Sequence, residues 1–108
     1  MTSRVPLPNR RGQESVDFIH GGIAFTASIG RYKDGRIGEA FLSCARTTTN
    51  IESVGRDAAI ILSIALQHGA SIDVIRDALT KDERGGPASV IGALLAIVAR
   101  MDGHEQDR

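Results

Sequence analysis

Residues 50–68, NIESVGRDAAIILSIALQH, constrain the fold of this chain more than any other stretch, because they read as one long helix with very little polar surface. Thr49 and Glu52 have the T-x-x-E spacing of a capping box, in which the hydroxyl takes an unpaired first-turn amide and the carboxylate reaches back. Gly69 follows the last apolar residues, where a left-handed residue ends a helix without a Cβ clash, and His68 stands at the negative end of the dipole. Ile51, Val54, Gly55, Ala58, Leu62, Ala65 and Leu66 share one face, and Ile60, Ile61 and Ile64 carry apolar surface well around the helix. The polar remainder is a stripe through Glu52, Arg56, Ser63 and Gln67. A helix this apolar calls for partners on at least two sides, which places it at the centre of the domain.

At 108 residues and 42% hydrophobic composition, the chain supports one core, burying about 65% of its unfolded surface. Thirteen basic and thirteen acidic residues cancel, so no global field favours nucleic acid or an anionic membrane. Apolar runs stop short of the roughly 20 residues of a membrane span, and the N-terminus lacks the apolar core of a secretion signal. The expected location is cytoplasmic. Cys44 is the single cysteine, which excludes an internal disulfide and a multi-cysteine metal site. Aromatic residues are 4% with no tryptophan, too few for stacking platforms on single-stranded nucleic acid.

Residues 1–13 contain Arg4, Arg10 and Arg11 with two prolines and no apolar period, and read as a disordered basic arm before a single domain at 14–102 and a flexible tail at 103–108. Alternating segments at 16–20, 23–32 and 36–44 read as three antiparallel strands joined by two-residue turns at Gly21-Gly22 and Asp34-Gly35. That register sets Phe18 opposite Phe25, Ile29 opposite Ala40 and Ala27 opposite Leu42. One face then collects Val16, Phe18, Ile23, Phe25, Ala27, Ile29, Ala40, Leu42 and Cys44, the floor for the long helix. The other face carries Tyr32, Ile37 and Phe41 among polar residues and is a candidate interface with another copy of the chain.

After Gly69, Ser71 is an N-cap and Asp73 suits the first turn of a shorter helix at 71–79, with Ile72, Ile75, Ala78 and Leu79 inward. Pro87 suits the first position of a third helix whose stripe is Val90, Ile91, Leu94, Leu95, Val98 and Met101. The expected fold is therefore α+β: a three-stranded antiparallel meander followed by a long central helix and two further helices on one sheet face.

No catalytic constellation is legible. Cys44 points to the core face, and His20, His68 and His104 have no helical-spacing partner for a metal. Gly85-Gly86 lacks the lysine and hydroxyl of a P-loop. The candidate ligand site is the start of the long helix. There Arg46, Thr47, Thr48, Thr49 and Asn50 bring hydroxyls and amides to a helix N-terminus, with Arg31, Arg56 and Asp57 as charged neighbours for a nucleotide or another anion.

The DG turn, the strand pair and above all IILSIALQHGASIDVIRDAL resemble the TSCPD domain, found near the C-terminus of adenosylcobalamin-dependent (class II) ribonucleotide reductases and as short stand-alone proteins. The resemblance covers residues 23–79 and is closest from Ile61 to Gly69, where the family shows a similar I-S-L-A-L-R-x-G pattern before an acidic helix. The cysteine motif that follows in the long reductases is replaced here by TKDERGGPAS, so a cysteine relay is not implied. The resemblance implies a non-catalytic interaction or oligomerisation module linked to deoxyribonucleotide synthesis, partnered by a second copy or a nucleotide-metabolism enzyme. No cofactor is expected for this chain; adenosylcobalamin belongs to the full-length reductases, and ribonucleoside-diphosphate reductase activity is implied by family resemblance alone. The alternative reading is a small nucleotide- or anion-binding regulatory protein.

Overall fold

Two glycine turns set the sheet. Gly21 and Gly22 take φ of 60° and 77°, closing a two-residue turn between β1 (Gln13–His20) and β2 (Ile23–Arg31). Phe18 faces Phe25 as the turn dictates, with ring centroids 5.7 Å apart. The computed structural model describes residues 3–8, 13–44 and 50–102.

The second turn is longer than expected, and a bulge compensates for it. Tyr32 pairs with Arg36 through a 2.8 Å backbone hydrogen bond, leaving Lys33, Asp34 and Gly35 as a three-residue loop with Gly35 at φ 94°. On β3 (Ile37–Cys44), Ile37 faces Arg31 but Glu39 faces Gly30, so Gly38 is one residue in excess. The extra turn residue and the bulged residue cancel, and beyond Gly38 the pairs Ile29 with Ala40 and Ala27 with Leu42 are those expected from the sequence. Before the bulge the faces are exchanged. Ile37 turns into the core at 5% exposure. The expected back-face patch of Tyr32, Ile37 and Phe41 is thus not formed: Tyr32 is half-buried under the Arg36 guanidinium, 4.6 Å above its ring, and of the three only Phe41 is exposed on that face. Gly38 is required there, since a Cβ would lie 2.5 Å from Tyr32 Cε2 and 2.8 Å from Leu7 Cδ1. Asp34 accepts hydrogen bonds from the Arg36 amide and guanidinium, and these, the amide first, hold its carboxyl below the ordinary value.

Three helices follow, α1 (Asn50–Gln67), α2 (Ile72–Ala78) and α3 (Val90–Met101), giving the α+β architecture read from the sequence. Gly69 ends α1 at φ 92°, with its amide on the Leu66 carbonyl and the Ala70 amide on the Ala65 carbonyl, a Schellman closure. Ser71 caps α2 as expected, but Ala78 faces solvent rather than the core. Lys81 Nζ donates to the carbonyls of Arg76, Asp77 and Leu79 at the C-terminal end of α2. Pro87 does not begin α3. It pairs with Lys81 in an isolated bridge, and Ser89 caps the helix by accepting from Gly92 N–H.

The apolar surface is distributed between the helices differently from expectation. α3 is enclosed almost throughout, and its Leu94, Leu95 and Val98 join Ile29 as the largest fully buried side chains. α1 lies along β3, one edge of the β1-β2-β3 sheet, and turns Glu52, Ser63 and Gln67 of its polar stripe inward while Arg56 stays exposed. Ser63 Oγ accepts from Ala40 N–H at 2.9 Å and sits 2.9 Å from the carbonyls of Ala40 and Ala59, either of which it can donate to. Gln67 Nε2 donates to the Gly38 carbonyl at 3.0 Å, and Glu52 is buried with Arg56 Nη1 at 3.3 Å. Ser63 and Gln67 supply the open edge of β3 with hydrogen-bond partners that a fourth strand would otherwise provide. The sequence suggests partners for α1 on two sides. Instead Ile51, Val54, Ile60, Ile61 and Ile64 face solvent.

Part of the N-terminal arm is held. Arg4 Nε donates to Gln67 Oε1, Val5 N–H to the Gln67 carbonyl and the Tyr32 hydroxyl to the Val5 carbonyl.

Candidate functional site: the outward face of α1 and its cleft

The N-terminal half of α1, the β1–β2 turn and the start of α3 enclose an apolar cleft of about 390 Å³. Ile23 and Phe25 form its floor, Val54 and Ala58 one wall, and Val90 and Ile91 the other. Its polar groups are sparse. His20 Nε2 lies 3.4 Å from the Ala88 carbonyl, the Ser89 hydroxyl is engaged in capping α3, and Asn50 stands exposed at the first turn of α1. A site of this composition receives aliphatic surface better than it receives charge.

The cleft continues along α1 as an apolar surface. Ile51 is 58% exposed, Val54 60% and Ile61 68%, and all three lie on one side of the helix with Ala58 and Ala65 between them. Exposed apolar side chains scattered singly are ordinary, as with Ile19 and Val74; on α1 they stand side by side instead.

Of the described residues expected at an anion site, Asn50, Arg56 and Asp57 lie on α1 and Arg31 lies apart from them. Arg46, Thr47, Thr48 and Thr49 lie outside the described residues, as does the hydroxyl half of the capping box. Among the described residues expected at the site, Asn50 alone lines the cleft. Arg56 is committed to Glu52, and Asp57 is exposed rather than set in an apolar surround. Arg31 sits at the other end of the sheet. Its guanidinium donates to Glu14 at 2.7 Å, to the Gly35 carbonyl at 2.7 Å and to the Met101 carbonyl at 2.8 Å, where a cation also suits the end of the α3 dipole. Cys44 is half-buried against the core, as its strand parity implies. Among the described residues no group of three or more His, Cys, Asp and Glu side chains could hold a metal ion, and no helix is long and apolar enough to cross a membrane. The sequence reading missed the contributions of Ile23, Phe25, Val90 and Ile91 to the cleft, because three segments distant in sequence meet there only through packing. A signal for the outward seam was present in the step of Ile51, Val54, Ala58, Ile61 and Ala65.

Over 89 residues, 81% of its length, the chain is 33% identical to a vitamin B12-dependent ribonucleotide reductase of Bradyrhizobium diazoefficiens. The chain is related to a domain of that reductase. It spans 7% of the reductase's length. No family model matches the chain, and no solved structure matches it. The reductase resemblance read from the central helix is thereby supported as a domain relationship.

Proposed function

We propose that this chain is a non-catalytic interaction module of deoxyribonucleotide synthesis, working in the cytoplasm, with the outward face of α1 as the surface through which it self-associates or docks on a nucleotide-metabolism enzyme. The row of exposed Ile51, Val54 and Ile61 carries this reading, because these residues add nothing to the monomer core. The relationship to a segment of a vitamin B12-dependent ribonucleotide reductase supports the metabolic setting. The cobalamin site belongs in this reading to the larger enzyme, and a spectroscopic titration of the chain with adenosylcobalamin is expected to show no binding.

The test is capture of a purified vitamin B12-dependent reductase by immobilised wild-type chain and by Ile61→Glu, alongside sedimentation of the chain alone. Retention or self-association that the substitution abolishes is the expected result. A wild-type chain that neither retains the enzyme nor associates with itself would remove the proposal.

The second reading, a nucleotide or anion at the first turn of α1, has the position of Asn50 at the cleft in its favour. Calorimetry with nucleoside di- and triphosphates decides it: no heat at millimolar ligand eliminates it.

A further inference from the structure

One side of the outward face of α1, beside the equally outward Ile60 and Ile64, has an order that selects one occupant. Ile51, Val54, Ala58, Ile61 and Ala65 recur at alternating steps of three and four, the spacing of a coiled-coil seam. From Val54 onward the seam alternates in height, since Val54 and Ile61 stand out while Ala58 and Ala65 are half-buried. A complementary helix must present tall residues where this one is short.

The same helix turned end for end does so over residues 54–65, Ile51 falling opposite His68 at the helix end. With a two-fold axis between residues 59 and 60, Ile61 of one copy faces Ala58 of the other, and Val54 faces Ala65. Each contact occurs twice, as an isologous interface demands. A parallel pair would instead set isoleucine against isoleucine and alanine against alanine, leaving gaps at the alanine layers, and would align the two helix dipoles unfavourably. The cleft adds a second complementarity. Its wall is Val54 and Ala58, so in the antiparallel pair Ile61 of the other copy arrives at its mouth, where about 390 Å³ of apolar space is open.

We propose that α1 pairs antiparallel with α1 of a second copy of this chain, Ile61 of each copy seating against Ala58 at the mouth of the other's cleft. The inference rests on the reading of this face as a docking surface and names its occupant. α1 has 18 residues, about 27 Å of helix, and with the cleft walls the contact covers on the order of 1,000 Å² over both copies, the lower limit of a specific interface.

Sedimentation equilibrium across the micromolar range tests it, together with cross-linking in a Cys44→Ser background. The wild-type chain is expected to dimerise, and Ile61→Glu to weaken the dimer on the order of 30-fold or more while leaving the circular dichroism spectrum unchanged. Ala58→Cys with Ile61→Cys is expected to yield a covalent dimer under oxidised glutathione, and Ala58→Cys alone is not. Efficient cross-linking by Ala58→Cys alone would show a parallel pair and overturn the inference. A monomer at every concentration also overturns it; if that monomer still retains the reductase through Ile61, the docking reading survives, and if it retains nothing, both fall.

Discussion

α1 and α3 are both strongly apolar, yet α3 is enclosed on nearly all sides and α1 is half solvated, with isoleucines outward and Ser63 and Gln67 inward. Hydropathy alone would have oriented α1 the other way. Burying one isoleucine contributes about 1.5–3 kcal/mol, but each backbone group left unpaired at the β3 edge costs about 1–3 kcal/mol, so the two demands are of similar size. Shape then decides. Gly55, Ala59 and Ser63 form a stripe of small residues at four-residue steps, and a Cβ on Gly55 would already lie 3.0 Å from Val90 Cγ1 and 3.5 Å from Leu42 Cδ1. The tight contact is with Val90 of α3, and an isoleucine in place of Gly55 does not fit against it. The comparison teaches that an exposed apolar helix face can be what remains after an edge strand has been satisfied, and that this remainder is then available for association.

The contrast can be broken most forcefully in α3. Leu94→Ala is expected to cost about 2–5 kcal/mol, whereas Ile61→Ala is expected to stay within about 0.5 kcal/mol at concentrations where the chain is monomeric. Urea titration of both variants measures the difference, and equal effects would show that α1 is packed on both sides after all. The edge function of α1 is probed by Ser63→Ala, which strips Ala40 N–H and C=O of their partner at an expected cost of about 1–3 kcal/mol. Faster hydrogen exchange at the Ala40 amide should accompany the loss; unchanged exchange would mean that the edge is satisfied in another way.

Gly69→Ala sharpens the comparison at the end of α1, since φ of 92° strains any side chain there. A loss of roughly 1–2 kcal/mol by thermal denaturation is expected. The smallest effect belongs to the β2–β3 turn. Asp34 has its carboxyl held below 3.8, so the stability it contributes is present above that value and is lost as pH falls through the lower folded-state value. Because Asp34 is fully exposed, only a slight acid-side difference between wild type and Asp34→Asn is expected, measured as melting temperature against pH.

Much of the fold was legible because its signals are local. The Gly21-Gly22 turn pins the β1–β2 register, strand alternation assigns Phe25, Ala27, Ile29, Ala40 and Leu42 to the core, and Ser71 and Gly69 mark helix ends through their own backbone demands. The candidate site was less legible. The sequence groups Arg31 with the charged neighbours of the helix start, yet strand direction carries it to the far end of the sheet, where it holds the α3 terminus. Ile37 was assigned to the wrong face because a bulge at Gly38 changes strand parity locally while leaving the later register intact. Ser89 rather than Pro87 starts α3, since Pro87 is engaged with Lys81.

By itself the sequence of this protein determined the elements, their order and most of the sheet register, since turn geometry, side-chain period and capping act within a few residues. Only the tertiary structure decided which side of α1 is inside. That choice depends on the unpaired edge of β3, the close approach that Gly55, Ala59 and Ser63 permit, and the volume already taken by α3, and none of these is encoded within the helix alone.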